Sequence, residues 1–287
     1  MTVTLVLTLL LSVLIGLSLG LLGGGGSILT VPILTYVAGL DPKEAIAASL
    51  FVVGATSAVS AVNHARNGRV KWRTGLVFGA AGMAGAFLGG ILGGHIPGTV
   101  LMIAFALMMV ATSLAMIRGR RGSAATDHDG ELPLLKVVLE GLVVGLVTGL
   151  VGAGGGFLVV PALALLGGLS MPVAVGTSLV VIAMKSFAGL AGYLTTVQLD
   201  RALVLSVTAA AIAGSVVGAR LAGVVPEAAL RKGFGVFVLV MGVSVLVQEL
   251  PGAAGAAVGI GAGALAVAAL ACWFAVPRCP LRAPRTA

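Results

Sequence analysis

The chain has 287 residues, of which 59% are hydrophobic and only 9% charged, and its mean hydropathy is +1.18. Ordinary soluble domains carry about 25% charged residues, so a water-soluble globular fold is excluded. The formal charge of +8 does not mark a nucleic-acid binder, because the basic residues cluster between apolar stretches instead of forming one stripe.

The N-terminal stretch MTVTLVLTLLLSVLIG lacks a basic n-region and a small-residue cleavage site, and reads as a retained first span. Apolar spans follow at 4–22, 28–40, 44–64, 74–95 and 97–117. A polar linker at 118–133 separates them from spans at 134–151, 157–168, 172–195, 202–222 and 228–249, and a last one covers 252–276. Most approach the roughly 20 residues that cross a bilayer as a helix. The expected fold is an all-α polytopic membrane protein. Cys272 and Cys279 form neither a disulfide framework nor a CxxC metal pattern.

The two blocks repeat. A constant shift of 129 residues aligns 16–117 with 145–246 without a gap, pairing Gly20 with Gly149, Pro32 with Pro161, Ser49 with Ser178 and Ser57 with Ser186. The expected organisation is repeat 1 over 1–117, a cytoplasmic linker over 118–133, repeat 2 over 134–249, and an extra span with a basic tail over 250–287. The loop after the third span carries Arg66, Arg69, Lys71 and Arg73, whereas its counterpart has only Asp200 and Arg201, which cancel. By the positive-inside rule these loops lie on opposite sides, so the repeats are expected to be inverted. That places the N-terminus outside and the C-terminus in the cytoplasm. Gly85-x-x-x-Gly89 and Gly214-x-x-x-Gly218 read as close-packing surfaces between helices.

Both blocks are interrupted by glycines: Gly23 to Gly26 followed by Ser27, and Gly152, Gly154, Gly155 and Gly156 in the second copy. Interrupted backbone at membrane depth is tolerated only where it is buried in protein or lines a polar cavity. Spans 28–40 and 157–168 are too short to cross as continuous helices and read as half-helices. Their N-termini carry unpaired N–H groups and partial positive charge, which suits an anion. Tight helix crossing is the plainer alternative. Lys185 is the lone lysine or arginine near the centre of a span, with Thr56 as its repeat mate. A lysine there costs about 2.5–3.5 kcal/mol to insert and marks a functional cavity, unless it snorkels to an interface. Ser49, Ser57, Thr56, Thr177, Ser178 and Ser186 offer hydroxyls near the breaks, or simply bond back to their own helices.

Asn63 and His64 close the third span; the histidine offers a route for coupling protons or serves as an interfacial cap. No metal-ligand spacing, no GxxxxGK[ST] phosphate loop and no deep serine–histidine pair occurs. Neither cofactor nor enzymatic chemistry is expected.

The segments GLLGGGGSILTVPIL, GLVGAGGGFLVVPAL, GTSL at 176–179 and AVNHARNGRV together resemble the TauE/SafE family of sulfite and organosulfonate exporters. The resemblance covers both repeats. It implies permeation of small anions such as sulfite, sulfoacetate or other sulfonates across a bacterial plasma membrane. Carried residue by residue, its motif falls on Gly23, Gly25, Gly26 and Pro32, and on Gly152, Gly154, Gly155, Pro161, Thr177 and Ser178. Ala47-Ala48-Ser49 stands in the first copy where Gly176-Thr177-Ser178 stands in the second.

The functional expectation is a secondary transporter of small organic or inorganic anions working by alternating access, with a passive anion channel as the alternative. Its partners are the anion and the lipid bilayer; oligomeric state stays open.

Overall fold

The computed structural model describes residues 2–22, 27–118, 134–152, 154–156, 159–160, 163, 169, 171–221 and 227–261. Every regular element among them is helical: α1 Thr2–Leu22, α2 Thr30–Tyr36, α3 Pro42–Arg66, α4 Trp72–His95, α5 Gly98–Arg118, α6 Leu134–Val151, α7 Met171–Tyr193, α8 Arg201–Leu221 and α9 Glu227–Glu249. A short apolar helix, α10, follows at Gly252–Gly261. Five of these helices are long and apolar enough to cross a membrane. The rest of the extra C-terminal span, most of the linker and most of 157–168 lie outside the described residues.

Local chemistry sets the helix ends. Pro42 occupies the first turn of α3 with Glu44 beside it, and His64 and Arg66 fill its last turn. This arrangement complements the helix dipole at both ends. Gly68, at φ 66°, then closes the helix, with the Arg69 N–H donating to the His64 carbonyl at 2.9 Å. At the start of α8 the Asp200 carboxylate accepts the N–H groups of Ala202 and Leu203 at 2.9 and 3.2 Å.

Helices α3, α4 and α5 begin at 42, 72 and 98, and α7, α8 and α9 begin at 171, 201 and 227. The same 129-residue shift relates their packing. A side chain added at Gly16 or Gly20 would strike the backbone of Ala211 or Ser215 on α8; one added at Gly145 or Gly149 would strike Gly82 or Ala86 on α4. From the other side, Gly85 and Gly89 lie on the backbone of Leu142 and Leu146, while Gly214 and Gly218 lie on that of Val13 and Leu17. Each block therefore lends its first helix to the other block, running parallel to the helix it meets. Without a hydrophobic drive between helices in lipid, van der Waals contact of bare backbones supplies the attraction.

Repeat mates α3 and α7 cross antiparallel, with Leu50 against Gly189, Gly54 against Ser186 and Phe187, and His64 against Gly176. The loops that follow them, 67–71 and 194–200, consequently lie at opposite ends of the bundle. Buried apolar side chains of α1, α3, α5, α8 and α9, including Ile15, Leu50, Phe105, Val207 and Val245, make the main core. Large apolar residues such as Leu10, Leu88, Leu139 and Val240 point outward, as lipid-facing surfaces require.

At the end where α4, α6 and α7 terminate, the bundle is sealed. The buried Tyr193 hydroxyl donates to the Leu150 carbonyl at 2.5 Å, and Lys43 Nζ donates to the Gly94 carbonyl at 2.7 Å. Tyr193→Phe leaves that carbonyl without its partner and is expected to cost about 1–3 kcal/mol. Unfolding titrations in detergent that gave wild-type stability would contradict this seal.

Candidate anion site at the paired helix breaks

Break 2 is built from left-handed glycines. Gly152, Gly154 and Gly155 have φ of 75°, 60° and 65°, a region costly for residues bearing a Cβ. The Gly152 N–H donates to the Thr148 carbonyl at 3.0 Å, which ends α6, and Ser49 Oγ on α3 donates to the Gly152 carbonyl at 2.9 Å. Gly152 lies against Ile46 and Gly154 against Val53. Seven residues of α3 rise about 10 Å, so the break descends from the sealed end to the middle of α3. There the chain turns helical again, with the Val159 N–H donating to the Gly155 carbonyl at 2.9 Å.

The residue that follows the first glycine run comes to the same place. Ser27 is buried, and a Cβ added at Gly154 would stand 3.4 Å from the Ser27 Cβ. Ser27–Leu29 form one 3₁₀ turn that leads directly into α2, whose residues from Thr30 to Leu34 are buried. Gly23, Gly25 and Gly26 lie outside the described residues.

Lys185 completes the arrangement. It is 1% exposed, and its Nζ has no hydrogen-bond partner among the described residues. The ammonium sits against Gly155 so closely that a Cβ there would overlap it, beside the Thr148 methyl, with the stem running along Gly82. In the α3–α7 register Lys185 and its mate Thr56 fall at the midpoint of the crossing. Thr56 Oγ1 donates to its own helix, to the Val52 carbonyl at 2.7 Å. Ser57 and Ser186, mates within one residue of that midpoint, have buried hydroxyls without partners among the described residues, as does Thr30 at the start of α2. A buried lysine Nζ without a partner among the described residues, with unpaired hydroxyls among them on α2, α3 and α7, is a set of groups a small anion would satisfy.

The remaining predicted residues divide. Ser49 braces the break, and Gly156 is buried behind Gly155. Thr177 instead accepts the Lys71 N–H at 3.0 Å, near the 67–71 loop, and Ser178 donates to the Val175 carbonyl at 2.8 Å. Eight residues, about 12 Å along α7, separate Thr177 from Lys185, and the structure does not bring them together. Thr148 is a neighbour of Lys185 that sequence reading missed. Its signal is faint: a hydroxyl on the Gly145 and Gly149 side of α6, one turn before the break. Its Oγ1 is occupied by the Val144 and Gly145 carbonyls at 2.7 and 3.1 Å. No cluster of three or more potential metal ligands occurs among the described residues.

Comparison with known families decides the kinship: residues 8–245 match the family described as sulfite exporter TauE/SafE. The chain belongs to the TauE/SafE family. A probable membrane transporter protein of Xylella fastidiosa (strain 9a5c) is 39% identical over 191 residues, which cover 66% of this chain and 71% of the relative. The probable membrane transporter protein YdhB of Bacillus subtilis is 27% identical over 229 residues, covering 79% and 94%. The probable membrane transporter protein MJ0441 of Methanocaldococcus jannaschii is 30% identical over 197 residues, covering 64% and 72%. No solved structure matches. With its membrane-crossing helices, this member of the family is a multi-pass membrane transporter.

Proposed function

We propose that the chain exports small oxyanions, sulfite or organosulfonates among them, across the plasma membrane by alternating access, with Lys185 as the counter-charge. One observation supports the reading: the buried Lys185 Nζ, with no partner among the described residues, lies against Gly155, next to where Gly154 meets Ser27. Lysine is expensive at that depth and is retained where something pairs with it. Half-helices restarting at the breaks, as the sequence leads one to expect, would direct N-terminal dipoles toward the same region, which favours an anion. Because Thr56 replaces lysine in the other repeat, the binding site is asymmetric in charge.

The basic 67–73 segment would face the cytoplasm, with 194–200 outside, the N-terminus outside and the C-terminus cytoplasmic. Movement of the repeats about the α3–α7 crossing would then open the site alternately to each side. Counter-flow in proteoliposomes tests the mechanism. Labelled sulfite or sulfoacetate flux should saturate and rise when unlabelled anion is placed on the opposite side. Flux that is linear in concentration and indifferent to the opposite side would make the protein an anion channel instead.

A further inference from the structure

A cavity of about 470 Å³ opens between the ends of α1, α3 and α8, at the same end of the bundle as the 67–71 loop. That volume lies within the ~300–1,000 Å³ range of small-molecule sites and far exceeds what a single three-oxygen anion fills. Its polar lining includes Ser60, Asn63, His64, Arg66 and Arg220, and no acidic residue lines it among the described residues. His64 Nδ1 is buried there without a hydrogen-bond partner among them. Arg66 comes from repeat 1 and Arg220 from repeat 2, and both residues are exposed. They converge because α3 and α8 end on the same side.

The cavity also points at the central site. Along α3, Thr56 precedes Val59 and Ser60 by three and four residues, and Asn63 follows by the same steps. These residues therefore share one helix face. From Asn63 to Thr56 is seven residues, about 10 Å, so this face runs from the cavity to the level of Lys185.

We infer that this cavity is a second anion site, a loading vestibule in which Arg66 and Arg220 capture a free small oxyanion before it passes to Lys185. Arginine suits such capture because its planar fork binds oxyanions in pairs of hydrogen bonds and stays charged at any physiological pH. The handover rests on the central reading, but the vestibule's own chemistry does not. Gathering anion at a charged mouth raises its local concentration, which acts on capture more than on turnover.

The test uses the full-length chain in nanodiscs of phosphatidylcholine alone, titrated calorimetrically with methanesulfonate. Wild type is expected to bind two anions, Lys185→Met to keep only the weaker one, and Arg66→Gln/Arg220→Gln to lose only the weaker one. In proteoliposomes the arginine double variant should raise the KM for anion supplied from the 67–71 side about tenfold with kcat nearly unchanged. Arg66→Lys/Arg220→Lys, which keeps the charge but not the planar fork, should raise that KM about threefold, and it carries the comparison if the glutamine variant does not fold. Two binding events and wild-type KM in the double variant would overturn the vestibule. Anionic lipid is the rival occupant. If phosphatidylglycerol in the discs removes the weaker event, the site holds a headgroup and the proposal fails. Should Lys185→Met leave both events intact while the arginine variant still removes one, the central reading fails and the vestibule stands.

Discussion

Lys185→Met should nearly abolish anion transport while making the protein harder to unfold. Methionine matches the length of the lysine stem and keeps the contacts along Gly82, so the change removes charge more than volume. A central lysine costs about 2.5–3.5 kcal/mol on insertion, and Nζ has no partner among the described residues to offset it. A stabilisation of about 1–3 kcal/mol is therefore expected, in line with apolar replacement of other buried charges. Removing one member of a buried, hydrogen-bonded charge pair costs about 2–5 kcal/mol of binding, which is roughly 30-fold to several thousand-fold in affinity. The opposite signs separate the readings. A lysine kept for structure would lose stability on replacement, and transport would fall only as far as folded protein did. Lys185→Arg should retain part of the transport, limited by the space beside Gly155 and Thr148.

Gly155→Ala should damage both folding and transport. Its φ of 65° costs an L-residue roughly 1–2 kcal/mol, and the new methyl would overlap both Thr148 Cγ2 and Lys185 Nζ. The ammonium must swing aside, so transport is expected to fall more than tenfold. The neighbouring contacts make the two sites non-additive. In a Lys185→Met background the flexible thioether yields more readily than a trapped ammonium, and Gly155→Ala should cost measurably less stability. Strictly additive unfolding free energies would show that Nζ does not occupy the space beside Gly155.

Much of the fold was legible because membrane helices write themselves in composition: long apolar runs, basic loops and a gapless shift between blocks. Lys185 was legible for the same reason, as a charge where charge is costly. The partners of the small-residue faces were not. Gly85 and Gly89 announce a close approach but do not say to which helix, and the exchange of α1 and α6 between blocks is settled by the whole bundle. Thr177 misleads because it belongs to a symmetric motif beside the break, whereas the N–H of Lys71 engages its hydroxyl near the loop. Thr148 meets Gly155, which also lies against Lys185 Nζ, where left-handed glycines fold the chain back on the end of α6. Arg66 and Arg220 meet across 154 positions of sequence, and only the parallel course of α3 and α8 brings them to one cavity.

On the proposed mechanism, Lys185, beside Gly155 in the second break, pairs with the transported anion. Equilibrium binding of sulfite to purified wild type and Lys185→Met, both verified as folded, tests it most directly. Tight binding in wild type and a loss of at least about 30-fold in the variant are expected. Equal affinity in the two proteins would contradict it.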